Sequence, residues 1–167
     1  MRHVLGHVPT SVAVVTTTEG DQPVGCTIGS LVSVSLEPPL IAFFAMESSS
    51  TMKALSDAGS FAVNVLAHDQ QWVCDVFARR QGDRFRKVEW DPGRRGNPRI
   101  RKSLAILDCE LESVTPAGDH QMILGRVLDL AVERPQCEPL VFARGALRTL
   151  SGANSATRHP LLTWLGD

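Results

Sequence analysis

Apolar and β-branched runs separated by short turns dominate the chain. They are rich in Val, Ile and Thr, which favour strands. The run at 40–45 is almost continuously apolar, as expected for a strand buried on both faces, whereas 104–106 and 128–132 alternate with a period of two. The pattern predicts seven strands, at 11–18, 24–36, 40–45, 61–66, 104–114, 122–132 and 140–147.

Two short segments have the spacing and the terminal residues of helices. The first spans about 51–58, with Ser50 as its candidate N-cap and Gly59 just beyond its end. In the second, which Asp69 can cap, four apolar side chains fall on one helical face and are expected in the core. These four are Trp72, Val73, Val76 and Phe77.

Chain length and the order of the predicted elements indicate the fold. A chain of 167 residues is long enough for one domain with a sizeable core. Seven strands joined mainly by hairpin-like turns close most economically into a small antiparallel β-barrel, because closure removes unpaired edges. The polar segment 81–102 predicts a long loop. We therefore predict a mainly β domain over 1–150 and a tail at 151–167 whose apolar end docks on the body or on a partner subunit.

Positive charge is concentrated in one segment, although the net charge is only −1. Residues 79–102 contain ten of the 17 Lys and Arg residues. This segment is either a solvated loop or a basic rim that attracts an anionic dinucleotide. A nucleic-acid-binding barrel is a third hypothesis, but no interleaved aromatic residues or known binding motif accompany the basic segment. We therefore expect no nucleic-acid partner.

Several common site types are not indicated. The four cysteines are widely spaced without a CxxC pair, so buried free thiols are expected and no metal site is predicted. No apolar stretch approaches the roughly 18 residues of a membrane helix, and the first residues lack a signal-peptide core. A cytoplasmic protein without membrane contact is therefore expected. GxGxxG and GxxxxGK[ST] are both absent, which argues against Rossmann and P-loop nucleotide sites.

Hydroxyl side chains are concentrated at the start of the first predicted helix. Ser48, Ser50 and Thr51 precede or open this helix, and Lys53 lies in its first turn. Helix-start N–H groups, hydroxyls and an ammonium group together suit a phosphate. The same hydroxyls are common at turns and N-caps for purely local reasons, so both interpretations remain open at this point.

Eight short segments occur in a characteristic order: PTSVAVVTT at 9–17, VGCTIGSLVSVSLEPPLIAFF at 24–44, SSSTMKAL at 48–55, FAVNVL at 61–66, GDRF at 82–85, GDH at 118–120, GRVLDL at 125–130 and PLVFARGALR at 139–148. In this order they resemble the short-chain flavin reductases of two-component monooxygenases. Each segment alone is weakly specific, but eight in register make the resemblance strong.

This resemblance implies an antiparallel split β-barrel, usually a homodimer, that binds FMN or FAD. Such proteins use NADH or NADPH to reduce the flavin, which then diffuses to a separate flavin-dependent monooxygenase. Two alternatives keep the fold and lose this reaction: a flavin- or heme-binding barrel, and an oxidase that acts on a small substrate.

The resemblance also implies roles for individual residues. His120 would face the nicotinamide as the catalytic residue, although without the resemblance it would be interpreted as an exposed turn histidine. Arg84 and Phe85 would cover the flavin. The remaining expected flavin contacts are Thr27, Ile28 and Ser30 at the isoalloxazine edge, Ser33, Val34 and Ser35 at the ribityl and phosphate region, and Ser48, Ser50, Thr51 and Lys53 at the phosphate.

Overall fold

The computed structural model of the chain describes residues 1–79 and 82–150; the tail predicted at 151–167 lies outside them. The strands are β1 (Thr10–Ser11), β2 (Ala13–Glu19), β3 (Gln22–Ile28), β4 (Val32–Leu36), β5 (Pro39–Met46), β6 (Ser60–Val65), β7 (Trp90–Pro92), β8 (Pro98–Ile100), β9 (Ala105–Ala117), β10 (His120–Val132), β11 (Leu140–Ala143) and β12 (Ala146–Thr149). The α-helices are α1 (Arg2–Leu5), α2 (Ser50–Ala58) and α3 (Gln71–Ala78), and 3₁₀ turns occur at His68–Gln70 and Phe85–Lys87.

Seven strands form one antiparallel sheet in the order β3-β2-β6-β9-β10-β5-β4. Its longest pair, β9 and β10, has register shifts near Gly125 and Val127, and such bulges bend and twist a sheet. Ser30, which follows the end strand β3, ties it to β5, the strand next to the other end of the sheet. Its hydroxyl donates to the carbonyl of Phe44 in β5 at 3.0 Å and accepts from the Phe44 N–H at 2.9 Å. The predicted mainly β, antiparallel split barrel is confirmed.

The barrel interior is filled by a cluster of apolar side chains that we call the barrel core. Its buried members are Ala13, Val15, Ile28, Ile41, Phe43, Ala45, Met52, Leu55, Phe61, Val63, Cys109 and Ile123. Phe43 and Phe61 pack edge to face with their ring centroids 5.6 Å apart. Position 125 beside them favours glycine, because a Cβ atom there would collide with the ring of Phe61.

A second apolar cluster, the outer core, lies on the opposite face of the segment 12–15. Its buried members are Val12, Val14, Leu66, Val73, Cys74, Phe77, Val88, Ile100 and Leu140. Successive side chains of an extended segment point to opposite faces. Ala13 and Val15 therefore enter the barrel core, while Val12 and Val14 enter the outer core.

Two of the predicted strands are in fact pairs of strands. The segment 24–36 is interrupted after β3, where Ser30 turns towards β5 and separates β3 from β4. The segment 140–147 is the β11–β12 hairpin. Its turn residues Arg144 and Gly145 have φ angles of +53° and +74°, and positive φ at both positions characterises the tight turns that join twisted strands.

The prediction of a long loop at 81–102 is wrong, because the described part of this segment is ordered and partly buried. It contains a 3₁₀ turn and the β7–β8 ladder, and it contributes Val88 and Ile100 to the outer core. Asn64 in β6 holds it in place: the side-chain oxygen accepts from the Ile100 N–H at 2.7 Å, and the amide donates to the Thr16 hydroxyl at 3.0 Å. A buried amide thus replaces the bonds that a regular ladder would supply.

Two predicted burial patterns are also wrong. β5 is not buried on both faces, since Phe43 is fully buried but Phe44 is 41% exposed. Trp72 is 49% exposed, whereas Val73 and Phe77 on the same helix are buried as predicted. Both exposed aromatic residues line cavities, and a cavity wall cannot be distinguished from a core wall by apolar spacing alone.

The described helices are short, and their ends follow local rules. α2 begins one residue earlier than predicted, so Ser49 rather than Ser50 is its N-cap. Gly59 ends it as predicted, with a φ of +66° and its N–H donating to the Leu55 carbonyl at 2.9 Å. No helix in the described part of the chain combines the length and the apolar character needed to cross a membrane.

Candidate active site

A cavity of about 430 Å³ opens where the ends of β3 and β5 meet the carboxyl end of α3. We call it the main cavity. It is lined by Cys26, Thr27, Ile28, Gly29, Ser30, Phe44, Ala45, Met46, Ser49, Phe77, Ala78, Arg79, Arg84 and His120. A mostly apolar lining with a few polar groups is typical of sites for organic cofactors.

β3 gives the main cavity one wall made partly of backbone. It is an end strand of the sheet and pairs with β2 alone among the described strands, so half of its N–H and C=O groups have no ladder partner. Thr27 fixes this strand against α3, because its hydroxyl donates to the Cys74 carbonyl at 3.3 Å. The edge at 26–28 is therefore a row of backbone donors and acceptors beside the main cavity.

Cys26 lies between the barrel core and the main cavity. Burial raises the pKa of this thiol to about 11, and the nearby Thr51 and Ser49 hydroxyls and Arg84 guanidinium offset only part of that rise. The thiol is therefore neutral at physiological pH, and its role is packing rather than nucleophilic attack.

A second cavity, of about 250 Å³, lies at the start of α2. We call it the helix-start cavity. Ser50, Thr51, Arg84 and Phe85 are among its lining residues. The first N–H groups of a helix have no partner within the helix, and no side chain caps α2. Uncapped amides, two hydroxyls and a guanidinium in one small cavity fit a phosphate group.

Arg84 separates these two cavities and lines both. Its guanidinium donates to the carbonyl of Gly25 in β3. It also lines a third cleft, of about 260 Å³, together with Arg79, Arg86 and Lys87. We call this the cationic cleft. Four cations line it against a single acid, Asp83, so the approach to the site is strongly positive and favours anionic ligands.

His120 begins β10, directly opposite Met46 of β5, and lines the main cavity. Its Nδ1 lies 2.7 Å from Oδ1 of Asp119, and its side chain is 41% exposed. The hydrogen bond to His120 holds the pKa of Asp119 below its usual value. Because Nδ1 is occupied by this bond, Nε2 is the nitrogen left to meet a ligand.

The structure brings most of the predicted site residues together, but not all. Within the described chain, five predicted site residues line neither the main cavity nor the helix-start cavity. They are Ser33, Val34 and Ser35 on β4, and Ser48 and Lys53 beside the start of α2. Those that line one or both are Thr27, Ile28, Ser30, Ser50, Thr51, Arg84, Phe85 and His120. The hydroxyl of Ser30 is already bonded to Phe44, so this residue shapes the wall.

Several lining residues were not predicted from the sequence. Ser49, the N-cap residue of α2, lines the main cavity together with Cys26. Phe77 and Arg79 reach the main cavity because α3 ends there. Phe44 and Met46 could have been found, since a strand that leads into a hydroxyl-rich helix start presents alternate side chains beside it.

Together these features suit a flat heteroaromatic ring that carries a phosphorylated side chain. The main cavity offers an apolar slot beside a backbone edge, and the helix-start cavity, joined to it at Arg84, offers an anion site. Donors fixed along the β3 edge could stabilise negative charge on the ring without reorganising. Among the described residues no cluster of His, Cys, Asp and Glu could hold a metal ion.

Comparison with known proteins gives the same indication. The model of the flavin reductase like domain matches residues 5–151. The chain is 42% identical, over 86% of its length and 73% of the relative's, to the reductase subunit HsaB of a flavin-dependent monooxygenase from Rhodococcus jostii. It is 39% identical to the FMN reductase (NADH) SmoA of Agrobacterium fabrum, over 90% and 84% of the two chains.

Among solved structures, the NADH:FAD oxidoreductase SgcE6 of Streptomyces globisporus, in complex with NAD and FAD fragments, superposes with a TM-score of 0.87. It is 33% identical, with 92% of this chain and 93% of that one covered. The matched family domain includes every residue that lines the main and helix-start cavities. This chain therefore belongs to the flavin reductase like family.

Proposed function

We propose that this protein is an NAD(P)H-dependent flavin reductase that supplies reduced FMN or FAD to a separate monooxygenase. Its relatives include an FMN reductase that uses NADH and reductase subunits of flavin-dependent monooxygenases. Hydride transfer from nicotinamide to flavin N5 is chemistry that the two cofactors themselves supply. The protein has to hold the rings face to face and stabilise the charge that develops on the flavin.

The observation that carries this proposal is the junction of the two cavities at Arg84. The mostly apolar main cavity, beside the free edge of β3, and the helix-start cavity, with an uncapped helix start and two hydroxyls, share the Arg84 side chain as a lining residue. In our proposal the isoalloxazine ring occupies the slot against Thr27 and Ile28. The phosphate lies against Ser50 and Thr51, with Ser48 and Lys53 turning towards it on binding.

His120 is proposed to meet the nicotinamide. Its bond to Asp119 orients the ring and leaves Nε2 for the carboxamide of the dinucleotide. Arg84 and Phe85, which lie just ahead of the outer-core residue Val88 in the chain, cover the flavin. No acid–base pair is needed, because hydride transfer between the rings moves no proton through a side chain.

A homodimer is the proposed assembly. β4 is the other end strand of the sheet, and Val32, Val34 and Leu36 on it are each about half exposed. Exposed apolar side chains on an end strand favour burial against a second copy. Ser33 and Ser35, which line neither cavity of one chain, would then lie at the interface. Residues 1–150 would form the family domain.

The deciding experiment follows absorbance at 340 nm with flavin-free protein, NADH and added FMN. We expect NADH oxidation that saturates with FMN; repetition with NADPH and FAD establishes the preferences. Tight FMN binding without NADH oxidation would leave only a flavin-binding role. Salt-sensitive oligonucleotide binding without flavin affinity would instead favour the nucleic-acid hypothesis.

Two variants and one control test the phosphate position. Lys53→Ala and Ser50→Ala should each weaken FMN binding and leave riboflavin binding nearly unchanged, because riboflavin lacks the phosphate. Ser56→Ala, an exposed serine further along the same helix, is the matched control and should change neither. Equal losses for FMN and riboflavin would refute the phosphate assignment.

A further inference from the structure

A fourth cavity, of about 320 Å³, lies at the opposite end of α3 from the main cavity. We call it the distal cavity. Val73, Val88 and Ile100 give it an apolar lining, and all three are buried members of the outer core. It shares no lining residue with the main or the helix-start cavity. It is therefore separate from the proposed flavin site.

Trp72 supplies a flat wall to the distal cavity. Its side chain is 49% exposed, although the next residue, Val73, is completely buried. An indole held at the mouth of an apolar cavity offers a large stacking surface, and aromatic pairs prefer offset-stacked or edge-to-face contacts. The reaction proposed for the main cavity makes no use of this residue.

Two arginines at the rim are already neutralised by carboxylates. Arg134 makes a bidentate pair with Asp69, at 2.8 and 2.9 Å. Arg101 makes another with Asp91, at 2.6 and 2.8 Å. Both arginines are fixed by these pairs. They shape the rim but contribute little net charge to it.

Lys87 and Lys102 provide the remaining positive charge. Among the described residues neither lysine has an ion-pair partner within 4 Å. One more carboxylate, that of Glu89, lines the same cavity and is 3.9 Å from Arg101. The rim thus has two lysines against one acid, a surplus that matches one negative charge rather than a polyphosphate.

Lys102 has an unusual backbone conformation at this rim. Lys102 has a φ of +63°, which is uncommon for a residue with a side chain. Its carbonyl accepts a hydrogen bond from Arg134 at 3.1 Å, so the ion-paired arginine holds the lysine in this conformation. The backbone that carries the Lys102 side chain is therefore fixed at the rim of the distal cavity.

We propose that the distal cavity is a binding site for a small aromatic monocarboxylate. The ring inserts between Trp72 and the apolar lining, and the carboxylate meets the ammonium group of Lys102 at the rim. An uncharged aromatic ligand would have no carboxylate to pair with Lys102. A nucleotide would carry more negative charge than the rim of the distal cavity balances. Flavin binding in the main cavity does not compete with this site.

Isothermal titration calorimetry with 2-naphthoate tests the proposal, using the full chain with and without saturating FMN. We expect one site per chain in both titrations. Trp72→Ala should weaken binding about tenfold through loss of stacking, and Lys102→Asn about threefold through loss of an exposed ion pair. Trp72→Phe, which retains a flat ring, should recover most of the affinity. Asn tolerates the positive φ at position 102.

Two controls make the result decisive. Arg148→Gln removes an exposed positive charge outside the distal cavity and should leave the affinity unchanged. The uncharged analogue 2-naphthylmethanol should bind more weakly than the acid. The proposal is overturned if 2-naphthoate does not bind, if FMN displaces it, or if Trp72→Ala binds as tightly as the unmodified chain.

Discussion

The barrel core and the outer core are both apolar and both buried, yet they are held together differently. The barrel core is enclosed by strands whose backbone groups bond to one another in long ladders. The outer core is covered by α3 and by the segment 84–103, whose only ladder is the three-residue β7–β8 pair. Its covering segment is held by side chains, chiefly Asn64, Thr16 and Asp108.

This difference shows that burial alone does not define how a region responds to change. In the barrel core the limiting factor is space, because side chains and backbone already fit closely around Phe61 and Gly125. In the outer core the limiting factor is hydrogen bonding, because removal of the Asn64 amide leaves the Ile100 N–H without its acceptor. Substitutions can separate these two sensitivities.

The largest effect is expected for Gly125→Ala in the barrel core. The new Cβ atom would collide with Cζ of Phe61, and such overpacking should lower the free energy of unfolding by about 3 kcal/mol. Urea denaturation measures this loss. In the Phe61→Leu background the same substitution should cost much less, and an equal cost in both backgrounds would show that the clash is not the cause.

The next effect is expected for Asn64→Ala beneath the outer core. It leaves the Ile100 N–H without its acceptor and should cost about 2 kcal/mol. Hydrogen exchange should show faster exchange in 84–103 than in β9 and β10, because the covering segment loses its attachment while the barrel ladder remains. Asn97→Ala, which removes one bond to the Ser60 hydroxyl, is the milder control. Uniform acceleration across the barrel would contradict the comparison.

A smaller effect is expected for Asp108→Asn. Asp108 is buried, accepts from the Arg94 N–H at 2.9 Å and pairs with Arg99, so it fastens the β7–β8 turn to the sheet. Asparagine keeps an acceptor but loses the charge, and Arg99 retains Asp129 as a partner at 2.7 Å. We expect a loss of about 1 kcal/mol in urea denaturation. Asp129→Asn, at an exposed position, should lower the free energy of unfolding by less than this. A larger loss for Asp129→Asn would show that Asp108 is not the residue that fastens the β7–β8 turn.

The smallest effect concerns alkaline pH. Burial raises the pKa of the Cys109 thiol in the barrel core to about 12, from an ordinary value of 9.0. Because the folded state holds this proton more tightly, the stabilisation is complete below pH 9 and is lost as the pH rises towards 12. At pH 9 the loss relative to pH 7 is roughly a few tenths of a kcal/mol for one thiol. Denaturation of the Cys109→Ala variant at pH 7 and pH 9 checks this. Its free energy of unfolding should fall less between the two pH values than that of the unmodified chain.

The sequence is informative wherever a local rule decides the structure. The end of α2 follows from Gly59, since a left-handed residue stops a helix. Strand positions in the barrel follow from their β-branched runs, and the resemblance placed Thr27, Ile28 and Arg84 at one site, where the structure also groups them.

The parts that were not predictable depend on contacts between distant segments. The order in 84–103 comes from Asn64, which lies more than thirty residues from Ile100, and no periodicity within the segment indicates it. The exposure of Trp72 and Phe44 depends on which cavity each lines. Ser33 and Ser35 on β4 would belong to a site only if a second copy of the chain supplied the rest of that site. The sequence pattern of one chain does not indicate such an arrangement.

The contact between Gly125 and Phe61 has an evolutionary consequence. A position where any side chain collides with a neighbouring ring cannot change alone without passing through a destabilised protein. Substitutions at 61 and 125 should therefore be correlated across the family, with glycine at 125 wherever 61 is aromatic. A side chain at 125 should appear only together with a smaller residue at 61.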